Sequence, residues 1–373
     1  MSRRPPEDQE EKEHRGDRRR SARFREGVEA REGGASSDSG SSGDGRGAER
    51  KESARQKLTA HRGKATWGER LVPLGRFRKA VARAGRSLSN EERAAERKRF
   101  LASPDDPTPV EGPFRRILAF GGVYNNHRAL AALLETADRR GADAVYCLGD
   151  LGGFGPNPEK VRPLLGQGDV RVSQGNYEQS LARGHDDCNC GYTDPRDNEF
   201  ARISYRYTAE RCSGEFREWM GALPERRRVR VGERELLLVH GSPRRVNEFL
   251  FESTTPDPFL ETLLDQEGAD GLLFTHTGLH WHRRLPSGRD AVNVGVIGRP
   301  ANDGDTRVWY SWLEDRDGEL AVELSPLEYD HASLAEEMRA EDLPEEFVET
   351  IETGWWTTCL EILPAKERAR SRF

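Results

Sequence analysis

Beyond Pro113 the chain alternates short apolar runs with longer stretches in which apolar residues recur every three or four positions. Arg116 to Phe120, Ala144 to Leu148, Val170 to Ser173, Glu235 to Val239, Gly271 to Phe274 and Ala291 to Val294 are the short runs. Runs of that length, bounded by polar or glycine positions, predict buried strands. Between the first two, Ala129, Leu130, Leu133, Leu134 and Ala137 share one face of a predicted helix. Thr306 to Leu313 and Leu320 to Leu324 flank Asp317-Gly318, a tight-hairpin dipeptide. Strands alternating with helices imply an α/β fold over residues 114–327.

Both flanks depart from this pattern. Residues 1–64 hold few large apolar side chains and include the stretch Gly33 to Gly47, built from Gly, Ser, Asp, Ala and Arg. Such a segment cannot bury enough apolar surface to offset its ordering entropy, so a disordered charged tail is expected. Arg3, Arg4 and Arg18 to Arg20 would suit a tether to nucleic acid or another acidic partner, but acids are interleaved among them and a solvated mixed-charge tail is the simpler reading. Over 65–113, helical spacing from Thr66 to Ala102, with a capping-box pattern at Ser89 to Glu92, predicts a helical extension joined by a Pro-rich linker. Over 328–373 an acidic helical segment and a second helix opened by Asp342 to Glu345 lead into Gly354-Trp355-Trp356. The paired Trp imply cover over an edge of the core, or a partner surface.

Composition adds limits. Apolar residues make up only 34% against 33% charged, a shortfall concentrated in the N-terminal tail. No run of about eighteen apolar residues and no secretory pattern occurs, so a cytoplasmic protein without a membrane partner is expected. Cys147, Cys188, Cys190, Cys212 and Cys359 have no repeated spacing. A disulfide framework is not expected, and Cys188 and Cys190 read as two loop thiols rather than half of a soft-metal site.

Chemistry-bearing residues fall at one kind of place. Gly149-Asp150, Gly175-Asn176, His240-Gly241 and His276 each follow an apolar strand directly. In an α/β sheet the carboxyl ends of the strands share a rim, so these side chains would converge. Singly, a strand-end Asp or Asn reads as a turn residue and a His as a structural one; four at corresponding places read as a site.

Their order resembles the calcineurin-like metallophosphoesterases, whose motifs run D-x-H, G-D, G-N-H-[DE], H-G and G-H-x-H. Here the series reads Gly122-Val123-Tyr124, Gly149-Asp150, Gly175-Asn176-Tyr177-Glu178, His240-Gly241 and Thr275-His276-Thr277-Gly278. The stretch Gly149 to Pro158, His240-Gly241-Ser242-Pro243 and Asn293 to Asp305 are similar to the small bacterial branch of that family. The resemblance implies a four-layer α/β/β/α sandwich of two mixed sheets. It further implies that the ligands of one metal ion, Asp150, Asn176, His240 and His276, are retained, while the positions that would hold a first ion carry Gly122, Tyr124 and Gly278.

A two-metal hydrolase clamps the phosphoryl group between its ions, so a single ion implies weak hydrolysis of a phosphomonoester or phosphodiester. One divalent ion per chain, Mn²⁺, Fe²⁺ or Zn²⁺, suits the mixed oxygen and nitrogen donors. Tyr177 or Glu178 is expected to orient water or a phosphate oxygen, and the motif Asn293-Val294-Gly295-Val296 lacks the family's hydroxyl. His127, His280, His282 and the insertion from His185 to Cys190 are the residues that could rebuild the first site. Arg244, Arg245 and Arg299 follow rim motifs and could pair with phosphate oxygens. The expected substrate is a phosphorylated small molecule, nucleotide or phosphoprotein, and nucleic acid is not an expected partner. The alternative is a catalytically inactive module that binds metal or phosphate and meets protein partners through its terminal extensions.

Overall fold

Eleven strands in two sheets carry the architecture of the computed structural model, which describes residues 108–371. The expected tail over 1–64 and the helical stretch from Thr66 to Ala102 lie outside the described residues. One sheet has the order β11(Glu319–Leu327), β10(Val308–Arg316), β2(Arg116–Phe120), β3(Ala144–Cys147), β4(Arg171–Val172). Its β2, β3 and β4 run parallel, and β10 runs antiparallel to both neighbours. The other sheet has the order β1(Val110–Phe114), β5(Arg226–Val231), β6(Arg234–Val239), β7(Gly271–Phe274), β9(Asp290–Asn293), β8(Trp281–Arg284). There β6, β7 and β9 are parallel, while β5 and β8 pair antiparallel with β6 and β9.

The period-two alternation of strand side chains explains the layers. Ile117 and Ala119 of β2 face the other sheet and pack with Tyr146, Leu236, Leu238 and Val292. Leu118 and Phe120, from the same strand, face outward onto Leu130 and Leu133 of helix α1(His127–Arg140). On the far side Leu237, Val239, Leu272 and Phe274 pack under Leu260, Leu263 and Leu264 of a helix over Asp257–Glu267. Helix, sheet, sheet, helix is the expected sandwich.

Three strands were not expected from sequence. β5 reads RRRVRV, and only Val229 and Val231 enter the core while Arg227 and Arg228 pair with Glu111 and Glu235. β1 and β8 are likewise short and polar, and they become strands through pairing with a neighbour. At the other end, helices over His331–Ala340 and Glu345–Thr353 bury Leu334, Met338, Phe347 and Ile351 against Tyr207, with Phe154 and Phe200 packed alongside. Among the described residues no helix is long and apolar enough to cross a membrane.

Candidate functional site

The carboxyl ends of β3, β4, β6 and β7 deliver Asp150, Asn176, His240 and His276, two from each sheet. Two of the loops lie backbone against backbone. A Cβ on Gly149 would stand 2.4 Å from the Gly175 nitrogen, and one on Gly175 would stand 2.6 Å from Asp150 Oδ1, so glycine is the residue that permits the approach. Glu178, fully buried in the first turn of the helix over Asn176–Arg183, latches the loops together. Its Oε2 accepts from the Asp150 and Gly175 amides at 2.8 and 2.7 Å, and its Oε1 accepts from the Leu151 amide at 2.7 Å.

Asp150, His240 and His276 form the centre. Their ligand atoms lie within 4.8 Å of one another, and all three side chains are buried; among the described residues they are the only such group of three. His240 Nδ1 lies 2.6 Å from the Leu148 carbonyl and donates to it, which leaves the Nε2 lone pair facing inward, 3.2 Å from Asp150 Oδ2 and 3.0 Å from His276 Nδ1. Asp150 and His276 have left-handed backbones, φ 60° and 68°, a conformation that costs a non-glycine residue about 1–3 kcal/mol and marks functional sites.

Electrostatics follow from this crowding. Burial by itself raises the Asp150 carboxyl, but the His240 ring, with His276 and the Tyr177 amide, brings it below the ordinary carboxylate range. Burial likewise depresses His240, and Asp150 reverses this and holds the ring above its ordinary value. His276 is pushed to about 3 by burial and then by the charge of its neighbour, against the pull of Asp150. Three buried groups with lone pairs crowded together would be satisfied by a cation.

One buried atom strengthens that fit: Asn176 Oδ1 has no hydrogen-bond partner. The Asn176 amide orientation is set by its other end, where Nδ2 donates to the Cys188 carbonyl at 2.9 Å. Flipping the amide would set oxygen against oxygen, so the unpartnered atom is the one suited to a metal.

The two residues expected to handle water or phosphate face other groups of the chain. Both Glu178 oxygens are taken by backbone amides, and the Tyr177 hydroxyl is 2.9 Å from Ser204 Oγ with its ring against Tyr205. Arg244 is exposed, near Glu248 at 3.6 Å and over the Phe259 ring, and Arg245 is exposed as well. Arg299 is buried.

At the positions that the resemblance gives to a first ion, side chains fill the space beside both glycines. A Cβ on Gly122 would lie 2.7 Å from Tyr124 Cζ and 2.9 Å from its hydroxyl, so the Tyr124 ring stands where a side chain at 122 would project. A Cβ on Gly278 would lie 2.9 Å from the Trp356 ring and 3.2 Å from an Arg299 nitrogen. Of the residues expected as candidates to rebuild the first site, three histidines face other groups. His127 faces Glu337 at 3.4 Å, His280 stacks on Trp309 with centroids 3.7 Å apart, and His282 is 2.8 Å from Asp290. Cys188 and Cys190, expected as free thiols, are joined as a disulfide beside Asn176.

A family model described as a calcineurin-like phosphoesterase superfamily domain matches residues 116–309, more than half of the chain. The chain belongs to the calcineurin-like phosphoesterase superfamily. Its sandwich is similar to that of a hypothetical protein of Pyrococcus horikoshii OT3, with TM-score 0.54 and 23% identity over 65% of this chain and 99% of that one. It is also similar to a metallophosphoesterase from Sphaerobacter thermophilus, with TM-score 0.50 and 25% identity over 64% of this chain and 99% of that one. An uncharacterized protein of Methanocaldococcus jannaschii is 23% identical over 240 residues, 61% of this chain and 94% of its own length.

Set in this superfamily, the C-terminal segment is the unexpected element of the site. Trp356 is fully buried; its amide donates to Asn302 Oδ1 at 2.8 Å and its indole to the Pro300 carbonyl at 2.7 Å. Asp197 accepts from the Cys359 and Glu361 amides at 2.7 and 2.9 Å and holds the segment down. The paired Trp signalled burial in the sequence, but no spacing pattern links position 356 to position 278.

Proposed function

We propose that this chain is a metal-dependent phosphoesterase that works with one divalent ion, held by Asp150, Asn176, His240 and His276. The observation that carries this reading is the buried group of three ligand residues within 4.8 Å, two of them on left-handed backbones. Bound there, the ion would supply Lewis acidity toward a phosphoryl oxygen and an acidified water. The chain's own contribution is orientation: the Leu148 carbonyl fixes the His240 tautomer, and Glu178 holds the Asp150 and Asn176 loops in register. Mn²⁺, Fe²⁺ and Zn²⁺ suit these donors, and the substrate class is a phosphorylated small molecule, nucleotide or phosphoprotein.

A second reading has its own support. Tyr124 and Trp356 fill the first-ion positions, and Asp150 and His276 are only 4% and 7% exposed, which favours a metal- or phosphate-binding module without turnover. Elemental analysis of purified protein, with hydrolysis of an aryl phosphate in added Mn²⁺, separates the two. One bound ion with turnover abolished by His240→Ala supports the enzyme; one bound ion without turnover supports the module. Protein that binds no ion would overturn both metal readings.

A further inference from the structure

The filled half of the site contains a cation. Arg299 is 5% exposed, its guanidinium carbon lies 3.5 Å from the Trp356 ring centroid, 4.8 Å from Phe154 and 5.8 Å from Tyr124. Its Nε is buried with no hydrogen-bond partner, and among the described residues no carboxylate pairs with it. One terminal nitrogen stands 3.2 Å from where a side chain at Gly278 would begin. That is the place the superfamily resemblance gives to a first-ion ligand.

A buried charge without a counter-ion is costly. Stacking on the Trp356 ring offsets part of that cost and leaves the donor fork unused. Asp150 is already engaged with His240. A guanidinium's flat donor fork matches two oxygens of a tetrahedral oxyanion.

We propose that Arg299, seated on Trp356, stands in place of the first metal ion and binds the oxyanion of a phosphoryl group whose other side faces the ion at Asp150, Asn176, His240 and His276. This rests on the one-ion reading for the second half of the clamp, while the Arg299 half stands on its own contacts. At 5% exposure, access requires local movement of the segment that carries Trp356 or of the loops facing it. The first-ion ligands are then dispensable because a fixed positive charge stands beside Gly278 and the Tyr124 ring.

The test titrates inorganic phosphate calorimetrically into the full chain, stripped of metal and then loaded with Mn²⁺, with metal content measured on each sample. The expected result is phosphate binding in both states, with Kd weakened at least tenfold by Arg299→Ala and partly restored in Arg299→Lys, while metal content stays at that of the unmodified protein. Equal phosphate affinity in the unmodified protein and both variants overturns the proposal. If the variants fail to fold, the unmodified protein still decides: absence of phosphate binding in its stripped and loaded states overturns the proposal. Phosphate binding that depends on Arg299 in a protein that takes up no ion would remove the one-ion reading and leave the Arg299 site standing. One bound ion with phosphate affinity indifferent to Arg299 would do the reverse.

Discussion

Replacing Glu178 by glutamine separates a structural latch from a residue that handles water. The carboxylate accepts three backbone hydrogen bonds, from Asp150, Leu151 and Gly175, in a fully buried position. Glutamine keeps one acceptor oxygen and puts an amide NH₂ where the other stood. If the oxygen serves Asp150 and Gly175, the Leu151 N–H faces another donor. An unsatisfied buried donor costs about 1–3 kcal/mol, and hydrogen bonds to a neutral acceptor are weaker than those to a charge, for a loss of about 3 kcal/mol. Against this, burial and then Asp150 already raise the Glu178 carboxyl, so removing the second charge recovers part of that loss. A loss of up to about 3 kcal/mol corresponds to a fall of up to about 6–12 °C in Tm for a domain of this size. Differential scanning calorimetry on metal-stripped protein measures it without the linkage that a bound ion adds. Metal affinity, measured well below the transition, should fall as well, because the loops carrying Asp150 and Asn176 lose their register. An unchanged Tm and metal content with reduced turnover would refute the reasoning and return Glu178 to a catalytic role.

Further expectations follow from the same contacts. His240→Ala and Asp150→Ala should each reduce bound metal by at least tenfold at a fixed Mn²⁺ concentration; unchanged elemental analysis would reject the ligand set. Metal uptake should weaken as pH falls through the raised His240 value, because the protonated ring repels the ion, and a pH-independent isotherm would contradict this. His280 is held neutral by burial, at about 4 instead of 6.5, so the unfolded chain takes up its proton first. Its contribution is present above about pH 6.5 and lost as pH falls toward 4, at most about 3 kcal/mol, which urea unfolding across that window would record and His280→Phe should remove. Restoring Gly122→Asp, Tyr124→His and Gly278→His together should not add a second ion. The Trp356 ring lies 2.9 Å from a Cβ at 278, and φ at 122 and 278 is 44° and 78°; elemental analysis showing two ions per chain would contradict this.

Much of this protein is determined by local sequence. The apolar runs of β2, β3, β6 and β7 specify buried strands, and polar residues directly after them fall at strand ends because a run of four or five residues leaves little choice of boundary. Motif order therefore pointed to Asp150, Asn176, His240 and His276, of which Asp150, His240 and His276 lie within 4.8 Å of one another. Strands such as β5, with its RRRVRV sequence, were illegible because its arginines are accommodated by Glu111, more than a hundred residues earlier, and by Glu235 across the hairpin. The roles of Glu178 and Tyr177 were decided by what faces them: three backbone amides in one case and Ser204 in the other. Likewise Gly122, Tyr124 and Gly278 stand where the resemblance would put ligands, while in the folded chain Tyr124 lies beside Gly122, and Arg299 and Trp356 lie beside Gly278. Local patterns determine where an element begins and which face it buries, whereas the charge and volume opposite a given side chain depend on residues brought together from 78 positions away, as Trp356 is to Gly278, by packing alone.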